Sequence, residues 1–172
     1  DGGLTTFAIH RPDNMEDFKQ RLQRAINMLY EYDSFLLNMQ NNLNERSVSF
    51  RFAMHLAKLF PEWDVDCEYN RMIRPNGEYT GHDYWAKAVN IEYKGHISAE
   101  DDEAKTVYPD IIIHHRGTKD NLAIIEIKMQ WKNSKKDFDF KKLQAYKSDL
   151  NYEYCVYIEL AKEHDKLKIQ FV

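Results

Sequence analysis

An α/β fold, with a central mixed sheet flanked by helices, is what three features of this sequence predict. The first is a pair of apolar stretches, Ile111-Ile112-Ile113 and Leu122-Ala123-Ile124-Ile125, joined across the short Gly117-Thr118-Lys119-Asp120-Asn121 segment. Strands so continuously apolar are covered on both faces, and a five-residue loop containing Gly suits an antiparallel hairpin. The second is the set of helical patterns before that hairpin, over residues 15–43 and 45–60. The third is a further helical segment at 138–150 followed by strand-like residues 152–160.

In chain order, Phe18, Leu22, Ala25, Leu29, Tyr32, Leu36, Met39 and Leu43 repeat at steps of four and three, which makes an apolar stripe on a helix. Asp33-Ser34 is placed to cap a second helix and divide the run in two. The stripe fits an amphipathic helical extension, residues 1–43, packed on the core; a homodimer contact through it is the alternative. The main domain then runs from 44 to 172. Asn44 is an N-cap for a helix that Pro61 stops, and Glu45, Val48, Phe52, Leu56 and Leu59 fall on one side of it. Asp64 to Tyr69 alternates polar and apolar residues as a strand with one wet face does. Residues 71–104 read as an insertion or meandering hairpin, with a turn at Arg74-Pro75-Asn76-Gly77 and a short strand at 88–93. Strands at 107–115 and 122–129, the 138–150 helix, a strand at 152–160 and an edge strand at 166–172 complete the chain.

The 172 residues suit one domain, with 43% apolar and 30% charged residues and a net charge of −4. That balance excludes a disordered chain and a uniformly basic nucleic-acid coat. No apolar run reaches the roughly 20 residues of a membrane helix. No secretion signal opens the chain, so a soluble cytoplasmic domain is expected. Two cysteines, Cys67 and Cys155, are too few for a disulfide framework or a thiolate zinc site, and both read as buried thiols.

The chemistry lies in the polar residues of the two apolar strands. Asp110 follows Pro109 directly before the isoleucine run, and Glu126 and Lys128 stand two apart, on one face of their strand. Ionised groups in a sheet interior cost several kcal/mol unless paired or metal-bound. Asp110 and Glu126 offer oxygen ligands for a hard cation such as Mg²⁺, with Mn²⁺ as substitute, and the Ile127 backbone carbonyl between Glu126 and Lys128 offers a third. Glu45 completes the shell, through water, from the core face of its helix. Lys128 can hold or polarise a water, so the reaction implied is phosphodiester hydrolysis. A buried ion-pair cluster without metal is the structural alternative.

Pro109-Asp110, fifteen intervening residues, then Glu126-Ile127-Lys128 resembles the PD-(D/E)xK nuclease superfamily, whose fold is restriction-endonuclease-like. The resemblance implies an αβββαβ core over roughly residues 44–160, metal ligation by Asp110 and Glu126, assistance to the attacking water by Lys128, and a fourth member at Glu45. It implies a Mg²⁺-dependent nuclease acting on nucleic acid, DNA above all; an inactive module of the same fold that binds nucleic acid or a protein is the alternative. Glu45-Arg46 is similar to the opening motif of archaeal Holliday-junction resolvases, but the long 71–104 segment stands where those have a short loop. The Gln-xxx-Tyr motif of the RecB-type branch is absent, since Gln144 and Tyr146 are two apart.

Seven lysines between Lys128 and Lys147 face only Asp137 and Asp139. Beside such a site, Lys135, Lys136, Lys141 and Lys142 are candidate phosphate contacts; alone they describe a solvated helix face. His114 shares strand parity with Asp110 and is a weaker candidate for a phosphate or water. His82, Asp83 and His96 match no standard metal spacing. Trp63, Trp85 and Trp131 read as packing residues.

Overall fold

The computed structural model describes residues 11–41, 43–68, 72–73, 84–85, 109–132 and 136–172. The first helix, α1 (Met15–Tyr32), starts where Asn14 turns extended and its side chain accepts the Asp17 N–H; Glu16 and Asp17 then place negative charge at the positive end of the helix. It ends at Asp33, whose N–H returns to Leu29 O at 2.9 Å, and two short 3₁₀ turns follow at Ser34–Leu37 and Met39–Asn41. The sequence periodicity runs on past this break, where Leu36 still packs against the core but Met39 does not. Phe18, Leu22, Ala25 and Leu29 are buried, whereas Tyr32 and Met39 are exposed. The buried stripe packs on the chain's own sheet, where Phe18 stacks on Tyr154 at 4.1 Å. Those residues are therefore not available to a second copy.

Helix α2 (Glu45–Leu59) is capped by Asn44, whose side chain accepts from Arg46 N at 3.1 Å, and ends at Phe60 before Pro61. Among the described residues seven strands follow in chain order. They are β1 (Asp64–Cys67), β2 (Met72–Ile73), β3 (Tyr84–Trp85), β4 (Ile111–His114), β5 (Asn121–Met129), β6 (Tyr154–Leu160) and β7 (Lys168–Phe171), with helix α3 (Lys136–Leu150) between β5 and β6.

Five strands form one sheet in the order β1-β4-β5-β6-β7. The β1–β4, β4–β5 and β6–β7 pairs are antiparallel. The β5–β6 pair is parallel, because α3 carries the chain back to the starting end of the sheet. Between β4 and β5, Gly117 takes φ 71°, a left-handed turn conformation that costs glycine little. β2 and β3 pair with each other as a separate antiparallel ribbon. The expected strand at 88–93, the start of the 107–115 strand, and His82, Asp83 and His96 lie outside the described residues.

Alternation along the strands divides the interior in two. Ile111, Ile113, Ile125, Ile127, Val156 and Ile158 face α1 and α2, while Ile112, Ile124, Cys155 and Tyr157 face α3. The protein is thus α/β, a five-stranded mixed sheet flanked by three helices. Trp63 stacks on His115 with ring centroids 4.1 Å apart, and Trp131 packs against the larger cluster. Cys155 is buried and Cys67 half-buried, and burial raises both thiols, to about 12 and about 11. Among the described residues no helix is long and apolar enough to cross a membrane.

Candidate active site

The pairing of β4 with β5 reaches its last rung at Ile111↔Ile125, so the Ile127 amide lies beyond the end of β4. Asp110 supplies what the ladder lacks there: its Oδ2 accepts the Ile127 N–H at 2.7 Å. In an extended strand the N–H and C=O of one residue point to the same edge, so the Ile127 carbonyl also faces the Asp110 side. The Asp110 carbonyl in turn accepts the Glu68 N–H at 3.2 Å, tying the end of β1 to the same corner.

Glu126 and Lys128 project from β5 toward α3. Glu126 is fully buried, and Lys142 of α3 places its Nζ 2.7 Å from Glu126 Oε1. Both Glu126 oxygens are buried, and neither makes a hydrogen bond of good geometry among the described residues. Lys128 Nζ lies 3.3 Å from Glu45 Oε1 and 3.9 Å from Asp139 Oδ2, so it bridges the start of α2 and the first turn of α3. Helical spacing explains why α3 delivers two charges inward: Asp139, Lys142, Leu143 and Tyr146 fall at i, i+3, i+4 and i+7 and share one buried stripe.

These groups set one another's protonation. Burial pushes the Glu126 carboxyl up to about 8; the Asp110 charge adds to the rise and Lys142 opposes it. Burial works against the Lys128 ammonium, but Asp110, Asp139, Glu45 and Glu126 outweigh it and hold Lys128 firmly cationic. Burial raises Asp139 despite Lys128 and Lys142 nearby. Burial also raises the Tyr146 hydroxyl, which the charges of Glu126, Tyr152 and Asp110 raise further.

The structure therefore brings Glu45, Asp110, Glu126 and Lys128 into one electrostatically coupled cluster and adds Asp139 and Lys142. Four carboxylates meet two ammonium groups, an excess of negative charge that a divalent cation would balance. Among the described residues, no three His, Cys, Asp or Glu side chains are arranged to hold a metal ion as they stand. The donor chemistry fits one nonetheless: hard oxygen ligands, a charge excess, and a buried carboxylate oxygen without a partner.

The expected phosphate contacts divide. Lys142 is buried on Glu126 rather than lying on the solvated face, because it belongs to the inward stripe of α3. His114 is fully buried too. Its Nε2 lies 2.9 Å from Asp66 Oδ2, and Arg116 Nε donates to the same oxygen at 2.7 Å, so His114 serves the β1–β4 pairing and does not reach solvent. Lys141 is exposed, Lys136 lies over the rings of Phe140 and Tyr157, and Lys135 is outside the described residues.

Sequence reasoning missed Asp139 and the inward role of Lys142, although their spacing from Leu143 and Tyr146 carried the signal. No family model, curated protein or solved structure matches the chain, so its membership rests on no relative.

Proposed function

We propose that this chain is a metal-dependent nuclease of the PD-(D/E)xK type with a restriction-endonuclease-like fold, hydrolysing phosphodiester bonds, with DNA as its first candidate substrate. The observation that carries the reading is the coupling of Asp110, Glu126, Lys128 and Glu45 at one end of the sheet, on elements in the order α2-β1-β4-β5-α3-β6. That order is the αβββαβ series of the resemblance, with β7 as an added edge strand.

In this reading Asp110, Glu126 and the Ile127 carbonyl hold Mg²⁺, or Mn²⁺ in its place, with Glu45 acting through water. The bound cation supplies charge neutralisation at the phosphate and a more acidic water. Lys128 is the donor that orients the attacking water and stabilises its hydroxide character; Glu45 and Asp139 fix its ammonium in position and keep it protonated. Glu126 acts as a ligand in its ionised form, which its raised pKa of about 8 opposes until a cation arrives.

The test is cleavage of plasmid, linear duplex, single strands, four-way junction and RNA in Mg²⁺, Mn²⁺ and EDTA, with Lys128→Ala alongside. Metal-dependent cutting that drops at least about 100-fold in the variant supports the reading. Metal-dependent cutting of equal rate in Lys128→Ala moves the site elsewhere. One observation favours a second reading, an inactive module on the same fold: the Lys142–Glu126 pair already partly neutralises the cluster. Nucleic-acid binding without cutting, and without a response to metal, selects it.

A further inference from the structure

Lys142 occupies a position that a cation bound to Glu126 would contest. Its ammonium is 2.7 Å from Glu126 Oε1, with both side chains almost wholly buried, on an oxygen that the proposed nuclease would offer to Mg²⁺. A divalent cation on either oxygen of Glu126 would stand close to that ammonium, like charge facing like charge. At about 4 Å, like charges in a partly buried site repel by several kcal/mol per charge product. Neither Glu126 oxygen makes a hydrogen bond of good geometry among the described residues, so Lys142 holds the carboxylate by the ion-pair contact at Oε1. The opposite wall of the cluster behaves differently: Lys128 is held by Glu45 and Asp139, which leaves it in place when Glu126 changes partner.

We propose that Lys142 is a tethered counter-cation for Glu126, a positioning residue that occupies the carboxylate before metal arrives and is displaced from it by the divalent ion. This rests on the metal-dependent reading of the site. The exchange replaces the Lys142 contact with one metal–carboxylate contact and releases the proton that Glu126 carries below its value of about 8, with no covalent step. It gives the chain a way to fold with a buried carboxylate already paired, and it frees an ammonium on the α3 face when the site is loaded. Lys166, exposed and paired with Glu163 next to β7, serves as the internal control.

The experiment uses the wild-type chain: calorimetric titration with Mg²⁺, and in parallel acetylation of lysines by an amine-reactive reagent, read residue by residue by mass spectrometry in EDTA and across the same Mg²⁺ series. The expected result is that Lys142 is protected in EDTA and its modification rate rises at least about fivefold, with a midpoint at the calorimetric Kd, while Lys166 stays constant. Mg²⁺ binding with Lys142 still protected overturns the exchange and leaves the nuclease reading standing. No heat of binding and no change at Lys142 up to tens of millimolar Mg²⁺ overturns both. A Lys142→Met chain that folds, judged by its circular dichroism, and binds Mg²⁺ more weakly than wild type above pH 9, where proton competition is least, also overturns the exchange.

Discussion

Asp110 and Ile127 are joined across the end of a strand: the carboxylate takes the amide hydrogen that the β4–β5 ladder leaves over, at 2.7 Å. One residue thus closes the sheet and belongs to the carboxylate–lysine cluster. The two roles separate under substitution. Asp110→Asn keeps an oxygen that can accept from Ile127 and should lose little stability, while Asp110→Ala leaves the amide unpaired and should cost about 1–3 kcal/mol in urea unfolding. Both should abolish metal-dependent cleavage. Equal stability of the two variants would show that the bond does not support the fold.

Glu126 makes stability depend on pH in an unusual direction. Its ordinary value is 4.5 and its folded value about 8, so between those limits the folded chain holds a proton that the unfolded chain has released. Stability from this group is full below pH 4.5, falls as pH rises toward 8, and is level above. Glu126→Gln removes the dependence. In EDTA the variant should gain on wild type from pH 5 to pH 8 by an amount on the order of a few kcal/mol. Melting curves at each pH measure the difference, and parallel curves would place the Glu126 value near normal.

Asp66 works the other way. Burial opposes its charge, but His114 and Arg116 bind it and hold its carboxyl well below the usual 3.8. A depressed value contributes stability that is present above the unfolded pKa and lost as pH falls through the folded one. Asp66→Asn should cost about 1–3 kcal/mol at pH 7. Acid titration of unfolding should show that deficit shrinking below pH 4, and a constant deficit would assign it to packing instead.

Divalent cations should raise the melting temperature, since a ligand at a hundred times its Kd adds about 2.7 kcal/mol. The shift should vanish in Asp110→Ala and fall sharply in Glu126→Gln, while Asp66→Asn retains it. A shift of equal size in all four chains would point to nonspecific ion binding.

Phe18 fixes α1 to the sheet. It is fully buried, stacked on Tyr154 at 4.1 Å and 5.7 Å from Phe60. Phe18→Ala should destabilise by about 3–5 kcal/mol. A loss under 1 kcal/mol would mean that α1 docks without this anchor.

Local signals made most of the architecture legible. Asn44 as a cap, Pro61 as a stop, and the isoleucine runs around Gly117 each act over a few residues, and the elements they mark stand within a few positions of the expected bounds. The apolar spacing of residues 15–43 outlasts α1, which ends at Asp33 where the sequence places a break; beyond it Leu36 still packs on the core while Met39 is exposed. At the site, Glu45, Asp110, Glu126 and Lys128 were found as chemically odd residues on apolar elements. Lys142 and Asp139 hid in a helix of so many charges that its inward stripe looked like its surface. His114 misled for a different reason: strand parity gives a face, but the partner waiting there was Asp66 on a neighbouring strand.

The parallel pairing of β5 with β6 has a kinetic meaning. Parallel strands cannot meet until their crossover is in place, and non-local contacts of this kind form late. The crossover here is α3, which carries Asp139 and Lys142 to Lys128 and Glu126. In the nascent chain all four are solvated, and Glu126 ionises like any glutamate. Its burial, and hence its uptake of a proton near neutral pH, awaits the docking of α3. A pH-indicator dye in weakly buffered refolding would therefore time the closing of the sheet and the birth of the site as a single event.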